Sequence, residues 1–140
     1  MVFSGEIAVA TEGDTDIRDV TPEVRDLIGR SGIAAGLCTV FVPGSTGAVT
    51  SIEFEPGAVA DLAAAVRRIA PPDIPYRHDL NWGDGNGYSH VRAALVGPSF
   101  TVPVQSGRPL LGTWQQIVFL DFDNRPRQRN LIVQIVGEPA

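Results

Sequence analysis

Two histidines are the most versatile side chains of this sequence. His78 and His90 are its only histidines, and Asp79, Asp84 and Asn86 lie beside or between them. Histidine is the commonest metal ligand and the usual proton donor or acceptor near neutral pH, and a nearby carboxylate can orient its ring. Two interpretations stand side by side. One is an acid–base or metal site that needs a third ligand, and the other is a pair of partly exposed histidines beside an acidic loop.

A second candidate is the loop Gly44-Ser45-Thr46-Gly47 in the stretch FVPGSTGAVTSIE. Glycine lets the backbone approach a ligand closely, so this loop could present N–H groups and two hydroxyls to an anion. The same four residues also suit an ordinary turn. The local pattern does not distinguish a binding loop from a turn.

The other reactive residue types of the sequence restrict which kinds of catalysis are possible. All eleven basic residues are arginines, which excludes a Walker A lysine, a Schiff-base lysine and attachment of PLP. Arg125, Arg127 and Arg129 alternate, so an extended backbone would point them to one side, where they could hold phosphate or carboxylate. A solvated strand edge is the alternative. Cys38 lies in an apolar strand pattern, which favours a core residue over a nucleophile.

Length and composition predict one globular domain over residues 1–140. Hydrophobic residues make up 44% and charged residues 19% of the chain, which is typical of a globular protein with a single core. The net charge of −5 argues against nucleic acid or an anionic membrane as partner. A single cysteine and the absence of a signal-peptide pattern predict a cytoplasmic protein.

Capping and breaking residues delimit two to three helices. The first is predicted to begin with Thr21 as its N-cap and to end at Gly32. The second covers Ala58–Ala70 on an apolar stripe. A long polar loop is expected over Pro71–Gly87, and loops of that length are often functional. Asn86 is predicted to cap a short third helix.

About seven strands complete an α+β fold in two packed layers. The last two strands contain the apolar runs IVFL and LIV. Such runs predict burial on both faces, by a second sheet, a helix or another subunit. The predicted strands are Phe3–Ala10, Asp16–Val20, Leu37–Val42, Val49–Glu55, Phe100–Val104, Trp114–Phe122 and Asn130–Val136.

In this order, the segments resemble the YjbQ-like family of small proteins, some of which are called secondary thiamine-phosphate synthases. The resemblance covers nearly the whole chain without large insertions. It implies a two-layer β-sandwich that assembles as a homotrimer. The most specific matching pieces are Asn86–His90, Leu95–Gly97, Val102–Val104, Gly107-Arg108 and Leu111–Gln115.

The resemblance also implies a site. It assigns catalysis to His78, His90 and Glu53, and a divalent metal, zinc or magnesium, to the two histidines. The implied ligand is a small anionic or phosphate-bearing molecule. Its implied binding residues are Gly44, Ser45, Thr46, Asn86, Gln115 and Arg129. This chain departs from the family pattern at two of them, because Gly44 stands where the family usually has histidine and Ser45 replaces a threonine.

Two hypotheses for the function follow. In the first, the protein is a weak enzyme of thiamine-phosphate-synthase type that joins a pyrimidine diphosphate to a thiazole phosphate. Arg129 and the loop would then hold phosphate, while His78 or His90 moves protons and Glu53 orients a ligand or metal. In the second, it is a non-catalytic trimer with a degenerate metal- or anion-binding pocket. Gly44 motivates the second hypothesis.

Overall fold

The computed structural model describes residues 1–140 and contains four helices and eight strands, so the predicted α+β class is confirmed. None of the helices is long and apolar enough to cross a membrane. The helices are α1 (Thr21–Ser31), α2 (Pro56–Ile69), α3 (Arg77–Trp82) and α4 (Gly87–Val96). The strands are β1 (Val2–Thr11), β2 (Asp16–Asp19), β3 (Ile33–Phe41), β4 (Gly47–Ile52), β5 (Ser99–Gln105), β6 (Arg108–Pro109), β7 (Gln116–Asp121) and β8 (Arg127–Pro139).

The strands form two antiparallel sheets. The large sheet has the order β1-β8-β3-β5-β6, and the small sheet has the order β2-β7-β4. One core lies between the large sheet, α1 and the inner face of the small sheet. A second core lies between the outer face of the small sheet and the helices α2 and α4. The small sheet is therefore the middle layer of the molecule.

Strand β7 is the centre of this arrangement. Ile117 and Phe119 lie in the core toward the large sheet, whereas Val118 and Leu120 lie in the core toward the helices. All four side chains are fully buried, since successive residues of a strand point to opposite faces. The predicted burial of the IVFL run on both faces is confirmed.

The LIV run of strand β8 was also predicted to be buried on both faces, and here the structure differs. Leu131, Val133 and Ile135 are fully buried, but Val136 on the other face is 50% exposed. The outer face of the large sheet, named here the outer sheet face, also presents Leu37, which is 54% exposed. In one chain the LIV run is thus covered on one face only.

The helix boundaries differ from the predictions at their starts. Thr21 lies inside the first turn of α1, while Val20 is the N-cap residue. The Thr21 hydroxyl instead accepts a hydrogen bond from the Ile117 N–H at 2.8 Å. Helix α2 begins earlier than predicted, because the carboxylate of Glu55 accepts hydrogen bonds from the N–H groups of its first turn.

The predicted loop over Pro71–Gly87 was wrong for its middle part, which forms α3. No residue of this six-residue helix is buried. It therefore lacks the apolar stripe that reveals a helix in a sequence. Gly83 ends α3 in a left-handed conformation with φ of 70°. The chain changes direction at this residue, and α4 therefore comes to lie beside α3.

Cys38 is fully buried on β3, so its prediction as a core residue is confirmed. Burial raises the pKa of its thiol to about 11. Because the thiolate is the reactive form of cysteine, this residue is a poor nucleophile at neutral pH.

Candidate functional site

The turn between α3 and α4 brings the two histidines together. His78 lies on α3 and His90 on α4, and their ring centroids are 4.3 Å apart with planes tilted by 51°. Asn86 precedes α4 as its N-cap residue, as predicted, but its side chain makes no capping hydrogen bond. That side chain is used in the site instead.

Asn86 connects His78 to a buried carboxylate. Nε2 of His78 lies 3.1 Å from Oδ1 of Asn86, whose Nδ2 donates to Oδ1 of Asp123 at 3.3 Å. With the amide reversed, Nδ2 faces Nε2 of His78 and the carboxylate of Asp84. The first orientation suits a protonated Nε2 and the second an unprotonated one. Only the first orientation lets Asn86 donate to Asp123.

A group of possible metal ligands surrounds His78. Ligand atoms of His78, Asp79 and Asp84 all lie within 4.8 Å of one another, and Nε2 of His78 is 3.2 Å from Oδ1 of Asp84. One imidazole and two carboxylates form a donor set that suits a divalent ion. The metal prediction named His78 and His90, whereas this group contains two carboxylates and not His90.

Arg129 forms a buried ion pair beneath the site. Its Nε and Nη2 bond to the two carboxylate oxygens of Asp121 at 2.9 Å each. Nη2 also donates to the hydroxyl of Thr46 at 2.6 Å. Arg129 is 8% exposed and Asp121 is fully buried. Two of the three guanidinium nitrogens of Arg129 are thus engaged within the protein.

The third nitrogen, Nη1, faces the Gly44 loop. It makes no hydrogen bond, and a Cβ atom placed on Gly44 would lie 3.3 Å from it. Gly44 has φ of 153°, which side-chain-bearing residues rarely adopt. The absence of a side chain at this position therefore leaves space beside Nη1.

The Gly44 loop borders a cavity of about 250 Å³. Gly44, Ser45 and Gly47 line one side, and His90 lines the other together with apolar residues of α4. The exposed N–H groups of Gly44 and Ser45 donate to no protein acceptor. The loop joins β3 of the large sheet to β4 of the small sheet, so it is a crossing between sheets and not a hairpin turn.

Glu53 and Gln115 lie elsewhere in the chain. Both are near Ile52 and Gln116, which pair at the end of the small sheet opposite Gly47 and Asp121. Five residue steps separate these ends, or about 17 Å. The amide of Gln115 bonds to Ser51 at 3.0 Å. Within one chain the structure does not bring these two predicted residues to the histidines, so their part in the site stays a prediction that requires a second chain.

Asp121 and Asp123 are the site residues that the sequence interpretation missed. Both follow the buried IVFL run in the stretch IVFLDFD. Carboxylates that continue a buried strand require a cationic or hydrogen-bonding partner, and this requirement was the available signal. Asp123 accepts hydrogen bonds from Asn86 and from Thr46 at 3.2 Å, so it joins the histidine side of the site to the Gly44 loop.

The environment of Asp123 favours its ionised form. Burial alone would raise the pKa of this carboxyl group. Hydrogen bonds from the Asn124 N–H, Asn86 and Thr46, together with the charge of Arg127, outweigh burial and hold the pKa below its ordinary value of 3.8.

Comparison with known proteins gives a consistent picture. The sequence model of the family described as "UPF0047 protein YjbQ-like" matches residues 5–138. A UPF0047 protein of Methanothermobacter thermautotrophicus is 37% identical over 138 residues, which is 99% of this chain and 94% of that protein. A UPF0047 protein of Mycobacterium tuberculosis is 38% identical over 131 residues, covering 88% of this chain and 98% of that protein.

Experimentally solved structures of related proteins have the same fold. A YbjQ-like protein of unknown function from Sulfolobus solfataricus has a TM-score of 0.94 at 31% identity, covering 99% of both chains. An uncharacterised protein of the yjbq/upf0047 family from Clostridium acetobutylicum has a TM-score of 0.86 at 32% identity, covering 94% of this chain and 98% of its own. The arrangement of sheets and helices described above is therefore shared with experimentally determined folds.

The substitution Asp123→Asn tests the contribution of this carboxylate to stability. Because the folded pKa lies below the unfolded value, the carboxylate stabilises the protein fully above about pH 4, and the effect is lost as the pH falls through the folded pKa. We expect the variant to lose about 1–3 kcal/mol of unfolding free energy near pH 7. The difference from the parent should shrink at about pH 3. Urea unfolding at both pH values measures it.

Asp61→Asn is the matched control, since Asp61 is exposed on α2. It should change the free energy of unfolding by less than about 0.5 kcal/mol at either pH. A loss for Asp123→Asn that is equal at both pH values would contradict the ionic role of Asp123.

Proposed function

Because this chain belongs to the YjbQ-like family of UPF0047 proteins, we propose that it binds a phosphate-bearing small molecule between the Gly44 loop and α4, with a divalent cation at His78. The observation that carries this proposal is the unpaired Nη1 of Arg129 beside Gly44. This cationic donor lies beside Gly44, which lines the cavity together with His90.

The anion part of the proposal is supported by the donors of the Gly44 loop, which lines the cavity, and of Arg129 beside it. Nη1 of Arg129 supplies positive charge, and the exposed N–H groups of Gly44 and Ser45 supply further donors. Guanidinium groups and glycine-rich backbone are the usual partners of phosphate oxygens. A lysine is not required for this mode of binding.

The cation part of the proposal is supported by the balance of charged side chains around the site. Asp79, Asp84, Asp121 and Asp123 bring four carboxylates to the region, whereas Arg127 and Arg129 bring two guanidinium groups. This excess of two negative charges would repel a phosphate. A divalent ion on His78, Asp79 and Asp84 would offset it, and such an ion neutralises phosphate charge when bound.

Calorimetric titration tests both parts with Zn²⁺, Mg²⁺ and pyrophosphate as probes. We expect about one divalent ion per chain, and at least about tenfold tighter binding of pyrophosphate when the ion is present. Asp84→Asn should weaken the cation binding, because it removes a ligand from an exposed position. Gly44→Ala should weaken only the pyrophosphate binding, because its methyl group would cover Nη1 of Arg129.

Asp73→Asn serves as the control for Asp84→Asn, since Asp73 is exposed in the loop before α3. It should leave both titrations unchanged. Cation binding that survives Asp84→Asn at full strength would contradict the proposed ligands. A pyrophosphate affinity that is changed neither by the cation nor by Gly44→Ala would contradict the proposed binding cavity.

The finer proposal is the thiamine-phosphate-synthase type of activity, in which a thiazole phosphate forms a C–N bond to a pyrimidine diphosphate and the C–O bond to the diphosphate breaks, so that pyrophosphate leaves. It is supported by two histidines next to a cavity with phosphate donors. His90 would exchange protons with the ligand and His78 would hold the cation. We expect thiamine phosphate to form above a protein-free control and to fall at least about a hundredfold for His90→Ala. Product that is unchanged in this variant would contradict the role of His90.

A non-catalytic pocket is the second candidate. The residue at position 44 favours it, because the family resemblance places a histidine where this chain has glycine. In that case pyrophosphate and cation bind as described above, but no thiamine phosphate forms even at high protein concentration. Binding and turnover measured on the same preparation separate the two candidates.

We also propose that the protein assembles as a homotrimer, as the family resemblance implies. The apolar residues Leu37, Phe41 and Val136 on the outer sheet face support this assembly, since patches of this kind mark association surfaces. Native mass spectrometry should give three chains per particle, and Val136→Asp should give single chains. Ile74→Asp, which alters an exposed apolar residue in the loop before α3, should leave the trimer intact. A parent protein that is monomeric would overturn the proposal.

A further inference from the structure

We propose that the free edge of β1 binds a basic, extended segment of a partner protein, which joins the five-stranded large sheet as a further strand beside α1. Strand β1 is the outermost strand of this sheet and pairs only with β8. The pairing runs without a break from Val2 opposite Val136 to Thr11 opposite Arg127. The other side of this strand is therefore a regular edge, with which no element of the chain pairs.

The hydrogen bonds of β1 identify the backbone groups that point to this edge. The N–H group of Gly137 donates to the carbonyl oxygen of Met1 at 3.1 Å, and bonded residues recur at every second position of an antiparallel ladder. The odd-numbered residues of β1 therefore bond to β8. The even-numbered residues direct their N–H and C=O groups to the free edge, and all of them are exposed: Val2, Ser4, Glu6, Ala8 and Ala10.

Strand β1 lacks the features that usually protect a sheet edge from pairing with another chain. Natural edge strands are short, bulged or covered, or they carry proline and lysine. Strand β1 contains no proline, lysine or arginine, and its pairing with β8 has no bulge. The other edges differ, because β2 has four residues, β6 has two, and the Val49 N–H of β4 donates to Gly97. The edge of β1 is therefore the one best suited to accept a further strand.

A groove beside the middle of β1 has room for such a strand. A cavity of about 400 Å³ lies between Glu6, Ile7 and Ala8 of β1 and residues of α1. Helix α1 is held close to the strand at Gly5, where a Cβ atom would lie 2.6 Å from Cδ2 of Leu27. Two packed elements thus form the groove before any peptide binds. In strand addition, main-chain hydrogen bonds provide affinity and side-chain contacts provide specificity.

The charges of the groove determine the class of partner. Its lining contains the carboxylates of Glu6, Glu23 and Asp26 but only one guanidinium group, that of Arg30. Arg30 lies 3.5 Å from Asp26, whereas neither Glu6 nor Glu23 forms an ion pair. Arginine or lysine at alternate positions of an added strand would offset these carboxylates, since opposite charges on neighbouring strands attract.

A second copy of this chain suits the edge less well than a basic peptide. Antiparallel pairing of two β1 strands centred on Glu6 would place the two Glu6 carboxylates directly opposite each other, and like charges in such pairs are destabilising. It would also bring two acidic grooves together in a protein whose net charge is −5 per chain.

The test is titration of the full chain with the blocked peptide acetyl-RTRVRTR-amide, followed by NMR and amide hydrogen exchange. We expect saturable binding that slows exchange of the Glu6 and Ala8 N–H groups at least about tenfold, because these groups gain acceptors. The acidic peptide acetyl-ETEVETE-amide should bind at least about tenfold more weakly. Two basic peptides, each N-methylated at one alternate set of residues, separate strand addition from charge attraction. One should lose binding because its donors to β1 are removed, and the other should retain it.

Substitutions at Ala8 complete the test. Ala8→Pro removes an N–H group that makes no hydrogen bond within the chain. Proline is tolerated where the N–H side of an edge strand faces solvent, so this variant should fold and lose peptide binding. Ala8→Val is the matched control, because it keeps the N–H group and should bind like the parent.

Three results would each overturn the proposal. The first is a basic peptide that does not saturate the protein or leaves exchange at Glu6 and Ala8 unchanged. The second is equal affinity for the two N-methylated peptides, which would indicate charge attraction without strand addition. The third is native mass spectrometry in which Ala8→Pro lowers the number of chains per particle, since a second copy would then occupy the edge. If Ala8→Pro does not fold, the N-methylated peptides decide.

Discussion

The ion pair between Arg129 and Asp121 joins the two sheets, and the candidate site depends on it. Arg129 lies on β8 of the large sheet and Asp121 on β7 of the small sheet, with both carboxylate oxygens bonded. Thr11 of β1 donates to the same carboxylate at 2.6 Å. Loss of one partner from such a buried pair leaves an uncompensated charge and costs about 3–5 kcal/mol. The pair therefore fixes how the sheets meet at this end of the molecule.

The Gly44 loop and His78 are attached to this pair through hydrogen bonds. Thr46 ties the Gly44 loop to Arg129, and Asp123 ties Thr46 to Asn86 and hence to His78. The helix α3 has no buried residue of its own, so polar contacts position it where apolar packing does not. The sheets provide rigidity, and the short helices provide the reactive groups at their edge.

The sequence predicted what depends on local pattern and missed what depends on pairing across the fold. The buried strand that contains the IVFL run and the end of α1 at Gly32 could be predicted, because periodicity and glycine conformation are local properties. The pairing of Asp121 with Arg129 was not, since it arises only when two strands of different sheets meet. Alternation placed Arg127 and Arg129 on one side, and both indeed face carboxylates. Helix α3 was missed because it has no apolar stripe.

The order of the strands also determines when the site can form during synthesis. The first strand pairs with the last, with Val2 opposite Val136, and β7 is the only link between β2 and β4. Neither sheet can be completed before its last strand, β7 or β8, has been synthesised, and both strands lie in the final quarter of the chain. The site therefore forms late. It depends on contacts between residues that are far apart in the sequence, and such contacts form slowly compared with local helices. Until then β1 and β2 remain unpaired strands, and unpaired strand edges favour aggregation.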